Sequence, residues 1–206
     1  MINPILLNIN PYQPAKAKQN VTFGHNIPTL KHTNIGSCLE GYIGKIRVRK
    51  DGGEAYLDVF KKILGHNSEN YTIKNEKNEV VGNVNLLISK LPPNPWENTD
   101  PSHVFVDDLR NFSKPGTPYH NKSLEYFKDI GTRLLQIAQR RSDEANCQGN
   151  IKLISKNESM NWYKNIIGMR QEFPPIPGQK FCINNPNKLY LPPESKEPLS
   201  RLQGGL

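Results

Sequence analysis

A long amphipathic segment between two short apolar ones places the strongest constraint on the fold. Apolar residues recur at helical spacing through residues 124–145, along a face that runs from Leu124 to Ala138. The segments on either side, residues 103–109 and 151–154, are short and apolar, which is typical of strands. A strand, a helix and a strand in this order predict a crossover connection, with the helix packed on a sheet.

The remaining periodic segments complete a mixed pattern. The further predicted elements are a strand at residues 42–49, a helix at 55–64, a hairpin of strands at 71–73 and 80–89, a helix at 158–167, and strands at 181–183 and 189–191. An antiparallel hairpin combined with strand–helix–strand connections predicts an α/β fold, with helices packed on a mixed sheet.

This periodic region lies between two segments that are rich in chain breakers. Residues 1–37 contain Asn, Gln, Pro and Lys without a sustained period, which predicts a disordered or extended N-terminal segment. Residues 192–206 have the same character and predict a flexible C-terminal tail. We therefore expect one folded domain over residues 38–191, a length that is ordinary for a single domain.

Composition restricts the classes of function. The formal net charge of +8 indicates an anionic partner, such as nucleic acid, acidic lipid or a phosphorylated cofactor. No run approaches the ~18 apolar residues of a membrane-spanning helix, and the first residues lack the pattern of a secretory signal. The three cysteines, Cys38, Cys147 and Cys182, are too few and too far apart for a disulfide framework. A reducing, cytoplasmic location is expected.

Basic residues and histidines give no strong sign of a binding site. The outer face of the strand at 42–49 is basic, with Lys45, Arg47, Arg49 and Lys50. These residues form either a patch that binds an acidic ligand or an ordinary solvated face. No aromatic residues interleave with them in the way that base stacking requires, so nucleic acid is not expected as a partner. The five histidines lack metal-ligand spacing, and no metal site is expected.

Three sequence segments, in their order along the chain, resemble the GNAT superfamily of N-acetyltransferases. Residues 78–84 are similar to that family's turn between its second and third strands. Residues 130–138 are similar to the helix after its cofactor loop, and residues 151–169 to its fifth strand with its final helix. The resemblance covers residues 40–191. It implies a divergent member with a mixed, mostly antiparallel central sheet flanked by helices.

The resemblance implies a site for acetyl-CoA, or another acyl-CoA, between the fourth and fifth strands. In that family the pyrophosphate binds backbone amides in a loop of pattern Gln/Arg-x-x-Gly-x-Gly/Ala, because the first amides of a helix are unpaired and carry partial positive charge. The implied cofactor-binding residues are Leu109, Lys128, Ile130, Gly131, Thr132, Arg133 and Asn157.

The loop departs from the family pattern at two positions. Gly131 matches the final glycine, but Asp129 replaces the preceding glycine and Tyr126 replaces the Gln or Arg. Asp129 would place a carboxylate over the amides, with Lys122, Lys128 and Arg133 as the cations expected to offset it. The apolar stripe also allows a helix that starts near Ser123 and leaves no loop.

Candidate catalytic residues follow from the same resemblance. Many family members use a tyrosine of the last helix to protonate the departing thiolate. In this sequence, counting back from Gly168 places that tyrosine's position at Lys164. A shift of one residue places it at Tyr163, which otherwise is a packing residue. Asp108 and Asp107 are candidates for a general base on the fourth strand, and at most one of two adjacent residues can face the cleft.

The resulting hypothesis is an N-acyltransferase that transfers an acetyl or other acyl group from acyl-CoA to an amine on a small molecule or a protein. One alternative is a GNAT-fold protein with a degenerate cofactor loop that acts as a non-catalytic interaction module. Another is a basic binding protein that shares the sheet topology. The insert at residues 113–122 is either a substrate lid or a lengthened surface loop.

Overall fold

The computed structural model describes residues 40–90, 102–172 and 187–201. The strands within these ranges are β1 Glu40–Lys50, β2 Gly53–Gly65, β3 Ser68–Lys74, β4 Val80–Ser89, β5 His103–Asn111, β6 Phe127–Lys128, β7 Ile151–Ile154, β8 Arg170–Gln171 and β9 Lys188–Tyr190. The helices are α1 Ile130–Glu144, α2 Asn157–Trp162, which continues into a π-helical turn at Tyr163–Ile167, and α3 Pro193–Arg201. The predicted N-terminal segment at residues 1–37 and the predicted strand at 181–183 lie outside the described residues.

The described strands form one sheet in the order β6-β1-β2-β3-β4-β5-β7-β9-β8. Neighbouring strands are antiparallel except for β5 and β7, which are parallel and are connected by α1. A parallel pair needs a crossover of this kind, and an antiparallel pair needs only a short turn. The predicted mixed, mostly antiparallel sheet with flanking helices is therefore confirmed.

β5 and β7 pair over a short stretch. Val104–Val106 pair with Ile151–Leu153, whereas β5 continues to Asn111. A β-bulge on the other side of β5 shifts its register against β4, so that Asp107 is the extra residue between Val106 and Asp108. The ladder between the two parallel strands ends at Val106 and Leu153, and we call the region beyond this end the wedge.

α1 packs closely on one face of the sheet. Its buried apolar residues, among them Ile130, Leu134 and Ala138, contact the buried side chains of the central strands. A Cβ atom on Gly82 of β4 would lie 2.5 Å from Cγ2 of Ile130 and 3.2 Å from the carbonyl oxygen of Arg110. Glycine at position 82 therefore allows the first residue of α1 to rest directly on β4.

The predicted helix at residues 55–64 is wrong, because this segment is strand β2. Leu57 and Val59 are buried while Tyr56 is exposed, which is the two-residue period of a strand. Asp51 and Gly52 form the turn that joins β2 to β1, and an Asp-Gly pair between two strand-like runs is a strong hairpin signal. The apolar residues of this segment fit the spacing of a helix as well as that of a strand, so periodicity alone does not distinguish the two.

The predicted start of the long helix at Leu124 is also wrong. α1 begins at Ile130, and the residues before it form β6, which pairs with the end of β1 through Arg49↔Lys128. Leu124 and Phe127 are buried from non-helical backbone, so the apolar stripe reflects burial along the whole segment but helix along only part of it.

The flexible tail predicted for residues 192–206 is wrong for residues 193–201, which form α3. Leu199 is 1% exposed. Two buried side chains of α1 bind the backbone of α3: Gln136 Nε2 donates to the carbonyl oxygen of Leu199, and Gln139 Nε2 donates to that of Lys196. These long-range hydrogen bonds stabilise a segment whose own sequence carries few helix signals.

A buried carboxylate joins α1 to the sheet near the helix C-terminus. Glu69 of β3 accepts hydrogen bonds from Arg141 Nε (2.7 Å) and Nη2 (3.0 Å) and from the Tyr71 hydroxyl, and it pairs with Lys61 Nζ at 3.0 Å. Burial raises the pKa of a carboxyl group, but the Arg141 hydrogen bond and the Lys61 charge outweigh burial and hold the pKa of Glu69 below its ordinary value.

We expect Glu69→Gln to destabilise the protein by roughly 3–5 kcal/mol, because Arg141 and Lys61 then lack their buried counter-charge. The folded-state pKa of Glu69 is lowered, so its contribution to stability is present above the unfolded-state pKa and is lost as the pH falls through the folded-state pKa. Urea unfolding of both proteins between pH 3 and pH 7 should show a smaller acid-induced loss of stability in the variant.

The control is Glu144→Gln, which removes an exposed pair with Arg140 within one helix and should cost at most about 0.5 kcal/mol. Equal effects of the two substitutions would show that the Glu69 cluster does not stabilise the fold.

Candidate cofactor and active site

Three parts of the structure meet at the open end of the wedge between β5 and β7. These are the edge of β5 beyond Val106, the beginning of α1, and the π-helical turn that follows α2. The ring of Trp162 lies against Gly131, where an added Cβ atom would be 3.2 Å from Cη2 of the indole. This contact joins the end of α2 to the beginning of α1.

α1 begins from a residue in the left-handed backbone conformation. Asp129 has φ 73° and ψ 0°, and the first hydrogen bond of the helix runs from the Arg133 amide to the Asp129 carbonyl oxygen at 2.9 Å. The amides of Ile130, Gly131 and Thr132 therefore precede the first helical hydrogen bond, as the first amides of every helix do. A positive φ is the conformation that glycine adopts most easily, and Asp129 stands where the resembled pattern has glycine.

The Asp129 carboxylate is bound by a residue from the other end of the domain. Arg49 of β1 donates from Nε to Oδ2 at 2.8 Å and from Nη2 to Oδ1 at 2.9 Å, and the Asp129 side chain is 5% exposed. Asp129 makes no side-chain capping bond to its own helix. The hydrogen bond and the charge of Asp129 outweigh partial burial and raise the pKa of Arg49 above its ordinary value.

The cations that the sequence analysis expected beside Asp129 have other partners. Lys128 pairs with Asp51 at 3.2 Å, and Arg133 donates to the carbonyl oxygen of Arg47 and to the side chain of Gln136. Burial lowers the pKa of Arg133, and the charge of Asp129 acts in the opposite direction. Sequence reasoning missed Arg49 because it lies 80 residues from Asp129, and no local pattern connects the two.

The segment between the two counted positions and Gly168 contains a π-helical turn, Tyr163–Ile167. A π-helical turn holds one residue more than the corresponding α-helical turn. It ends at Gly168, which has a left-handed φ of 79°. Tyr163 is buried at 7% exposure, and its ring makes an edge contact with Trp162 at 4.8 Å between centroids, whereas Lys164 is exposed.

Tyr163 and Asp108 are brought close enough to interact electrostatically. Burial, together with the charge of Asp108, raises the pKa of Tyr163 to about 12. Asp108 also pairs with Arg110, whose Nε atom lies 2.6 Å from Oδ2 without the alignment of a hydrogen bond. Asp107 is exposed at the bulge.

Tyr119 of the insert bridges the two sides of the wedge. Its ring lies 4.7 Å from the Arg110 guanidinium carbon on β5 and 4.9 Å from Lys156 Nζ, just before α2. Lys156 Nζ also donates to the Tyr119 hydroxyl at 2.8 Å, and this hydrogen bond raises the pKa of Lys156. Tyr119 therefore connects the insert to β5 and to the residue before α2.

The other implied cofactor-binding residues have clear positions. Leu109 lies half-buried on β5, opposite Val84, and Thr132 is buried in the first turn of α1. Asn157 begins α2 and accepts a hydrogen bond from Asn187 Nδ2 at 2.9 Å. Among the described residues, no group of three or more His, Cys, Asp and Glu side chains is arranged to hold a metal ion, and no helix is long and apolar enough to cross a membrane.

Comparison with known proteins gives a likeness of structure. No protein family and no curated protein matches the sequence. Similar solved structures include Tetrahymena GCN5 (16% identity, 63% of this chain and 72% of that chain, TM-score 0.37) and nourseothricin acetyltransferase (15%, 73% and 84%, 0.37). A third is a mutant of the AtaT toxin bound to the C-terminus of the antitoxin AtaR and acetyl-CoA (17%, 64% and 72%, 0.42).

The predicted resemblance to the GNAT acetyltransferases is therefore supported at the level of the fold.

Proposed function

We propose that this protein is an N-acyltransferase that transfers an acetyl or other acyl group from acyl-CoA to an amine on a small molecule or a protein. The observation that carries the proposal is the start of α1. Three amides without helical partners, those of Ile130, Gly131 and Thr132, follow the left-handed residue Asp129, and Ile130 lies close to the part of β5 beyond its pairing with β7.

These amides would bind the pyrophosphate of the cofactor. Helix N-terminal amides point outward and carry partial positive charge, which favours phosphate. Gly131 has no side chain of its own, and the ring of Trp162 packs against it. The side chain of Lys128, which precedes Asp129, is 44% exposed. The pantetheine arm would follow the edge of β5 at Leu109, since that edge has no ladder partner beyond Val106 in the described chain. Asn157 at the start of α2 and Arg133 in α1 would lie on either side of the bound cofactor.

Transfer requires a neutral amine that attacks the thioester carbonyl. A carbon–nitrogen bond forms, the carbon–sulfur bond breaks, and the leaving sulfur takes up a proton while the amine loses one. We assign the donated proton to the Tyr163 hydroxyl, which its pKa of about 12 keeps protonated. Asp108 would accept the proton of the amine, and its charge also helps to keep Tyr163 protonated.

A non-catalytic interaction module is the second candidate function. Tyr119 favours it, because this side chain bridges Arg110 and Lys156 across the opening through which an acyl-CoA would enter. The two candidates differ in coenzyme A binding. A cytoplasmic location belongs to the same proposal, since the cofactor is an intracellular metabolite.

We expect coenzyme A to bind the wild-type protein and Gly131→Glu to weaken binding about five- to thirtyfold. The new carboxylate would lie within a few ångströms of the pyrophosphate, and a net repulsion of ~1–2 kcal/mol gives this range. Calorimetric titration measures the affinity. In a Trp96→Phe background, the fluorescence of Trp162, which contacts Gly131, gives a second signal.

Two variants control for charge and for bulk. Gly65→Glu adds the same charge at an open position of the sheet and should leave the affinity unchanged. Gly131→Ala adds bulk without charge and should have a smaller effect than Gly131→Glu. If the wild-type protein does not bind coenzyme A, the interaction module becomes the better proposal.

Tyr163→Phe should lower kcat by about 10²–10⁴-fold and leave the affinity for coenzyme A within about twofold, because the hydroxyl acts in the chemical step. Thiol release from acetyl-CoA, measured with a panel of primary amines, gives the rate. The matched control is Tyr42→Phe, an exposed tyrosine on β1, which should keep full activity. An unchanged kcat in Tyr163→Phe would exclude Tyr163 as the acid.

The pH dependence tests the same assignment. The rate should rise as the amine substrate loses its proton, and it should then stay level to about pH 10. Tyr163 must be protonated to act, and with a pKa of about 12 it remains so throughout this range. A descending limb of kcat near pH 9 that is absent in Tyr163→Phe would contradict the raised pKa of Tyr163, and one that persists in Tyr163→Phe would belong to another group.

A further inference from the structure

The position of Asp129 poses an electrostatic problem for the proposed function, on which this inference rests. A carboxylate at the residue before a helix ordinarily accepts hydrogen bonds from the first amides of that helix. A pyrophosphate on the same amides would compete with it and would repel its charge. Asp129 makes no capping bond, and its left-handed backbone differs from the extended backbone of an ordinary N-cap residue.

Arg49 directs this carboxylate away from the helix. The two donors of its guanidinium match the two oxygens of Asp129 at 2.8 and 2.9 Å, which is the bidentate geometry that favours arginine over lysine. The Asp129 side chain is 5% exposed and would otherwise be a buried, unpaired charge.

Neighbouring contacts hold the same segment against β1. Lys50 pairs with Glu125 at 3.4 Å and Asp51 pairs with Lys128 at 3.2 Å, on either side of the short β1–β6 ladder. These pairs are more exposed than the Arg49–Asp129 pair, and exposed pairs stabilise little. Of the three charged pairs at this segment, the Arg49–Asp129 pair is therefore the one expected to contribute most.

We propose that Arg49 is a positioning residue for the cofactor loop, which keeps the Asp129 carboxylate off the amides that receive the pyrophosphate. Without Arg49, the carboxylate turns to those amides or remains as an uncompensated charge beside the phosphates. With glycine at position 129 there is no carboxylate to hold, and the φ of 73° is adopted without strain. Arg49 is therefore needed because residue 129 is an aspartate.

The experiment is a double-mutant cycle on coenzyme A affinity, measured by calorimetry with the full chain. Arg49→Ala should weaken binding by about tenfold or more. Asp129→Gly should bind as tightly as the wild type or tighter. The double variant Arg49→Ala/Asp129→Gly should return to within about threefold of the wild type. Lys50→Ala, which breaks the exposed pair next to Arg49, is the matched control and should have little effect.

A second set of ligands separates positioning from general stability. Dephospho-coenzyme A keeps the pyrophosphate and should show the same loss in Arg49→Ala as coenzyme A. Pantetheine has no phosphate, and its weak binding, followed by NMR, should be unchanged. Thermal melting identifies variants that do not fold, and Arg49→Gln, which keeps the length and polarity of the side chain, takes the place of Arg49→Ala in that case.

The outcomes distinguish this proposal from the proposed function. Failure of the wild-type protein to bind coenzyme A overturns both. Normal binding by wild type and by Arg49→Ala overturns the role of Arg49 alone. A double variant as weak as Arg49→Ala also overturns it, because Arg49 would then act on the phosphates directly. An equal loss for pantetheine and coenzyme A would show a merely structural role.

Discussion

The short parallel pairing between β5 and β7 is the constraint on which the candidate site depends. The two strands share three residue pairs, and the bulge at Asp107 then shifts the register of β5 against β4. α1 must connect these strands by a crossover, so its beginning lies at the end of the sheet where they separate. The open edge of β5 and the unpaired amides of α1 are therefore neighbours as a consequence of topology.

Charged pairs attach the two ends of α1 to different strands of the sheet. Near its C-terminus, Arg141 pairs with Glu69 of β3, and just before its N-terminus, Asp129 pairs with Arg49 of β1. An acid at the N-terminus and a base at the C-terminus both interact favourably with the helix dipole. In each pair the carboxylate is largely buried, so both attachments depend on keeping the arginine beside it.

The secondary-structure elements that could be predicted are those whose apolar pattern fits either a helix or a strand but not both. The hairpin of β3 and β4, the strands β5 and β7 and most of α1 follow from local periodicity. β2 did not, because Leu57 and Phe60 fit both a helix and a strand, and pairing with β1 decides between them. The start of α1, the helix α3 and the partner of Asp129 depend on contacts between distant residues, which no local period contains.

The candidate site differs from the resembled motif for a related reason. A bulge at Asp107 and a π-helical turn at Tyr163–Ile167 each insert one residue, and residue 129 keeps a glycine-like φ with an aspartate side chain. Each change alters the spacing or the residue types along the sequence, so a fixed count along the chain no longer identifies a fixed position in the backbone. A count along the sequence therefore assigns Lys164, whereas the buried ring beside Asp108 belongs to Tyr163. In a divergent chain of this kind, backbone geometry is a better basis for assigning site residues than motif spacing.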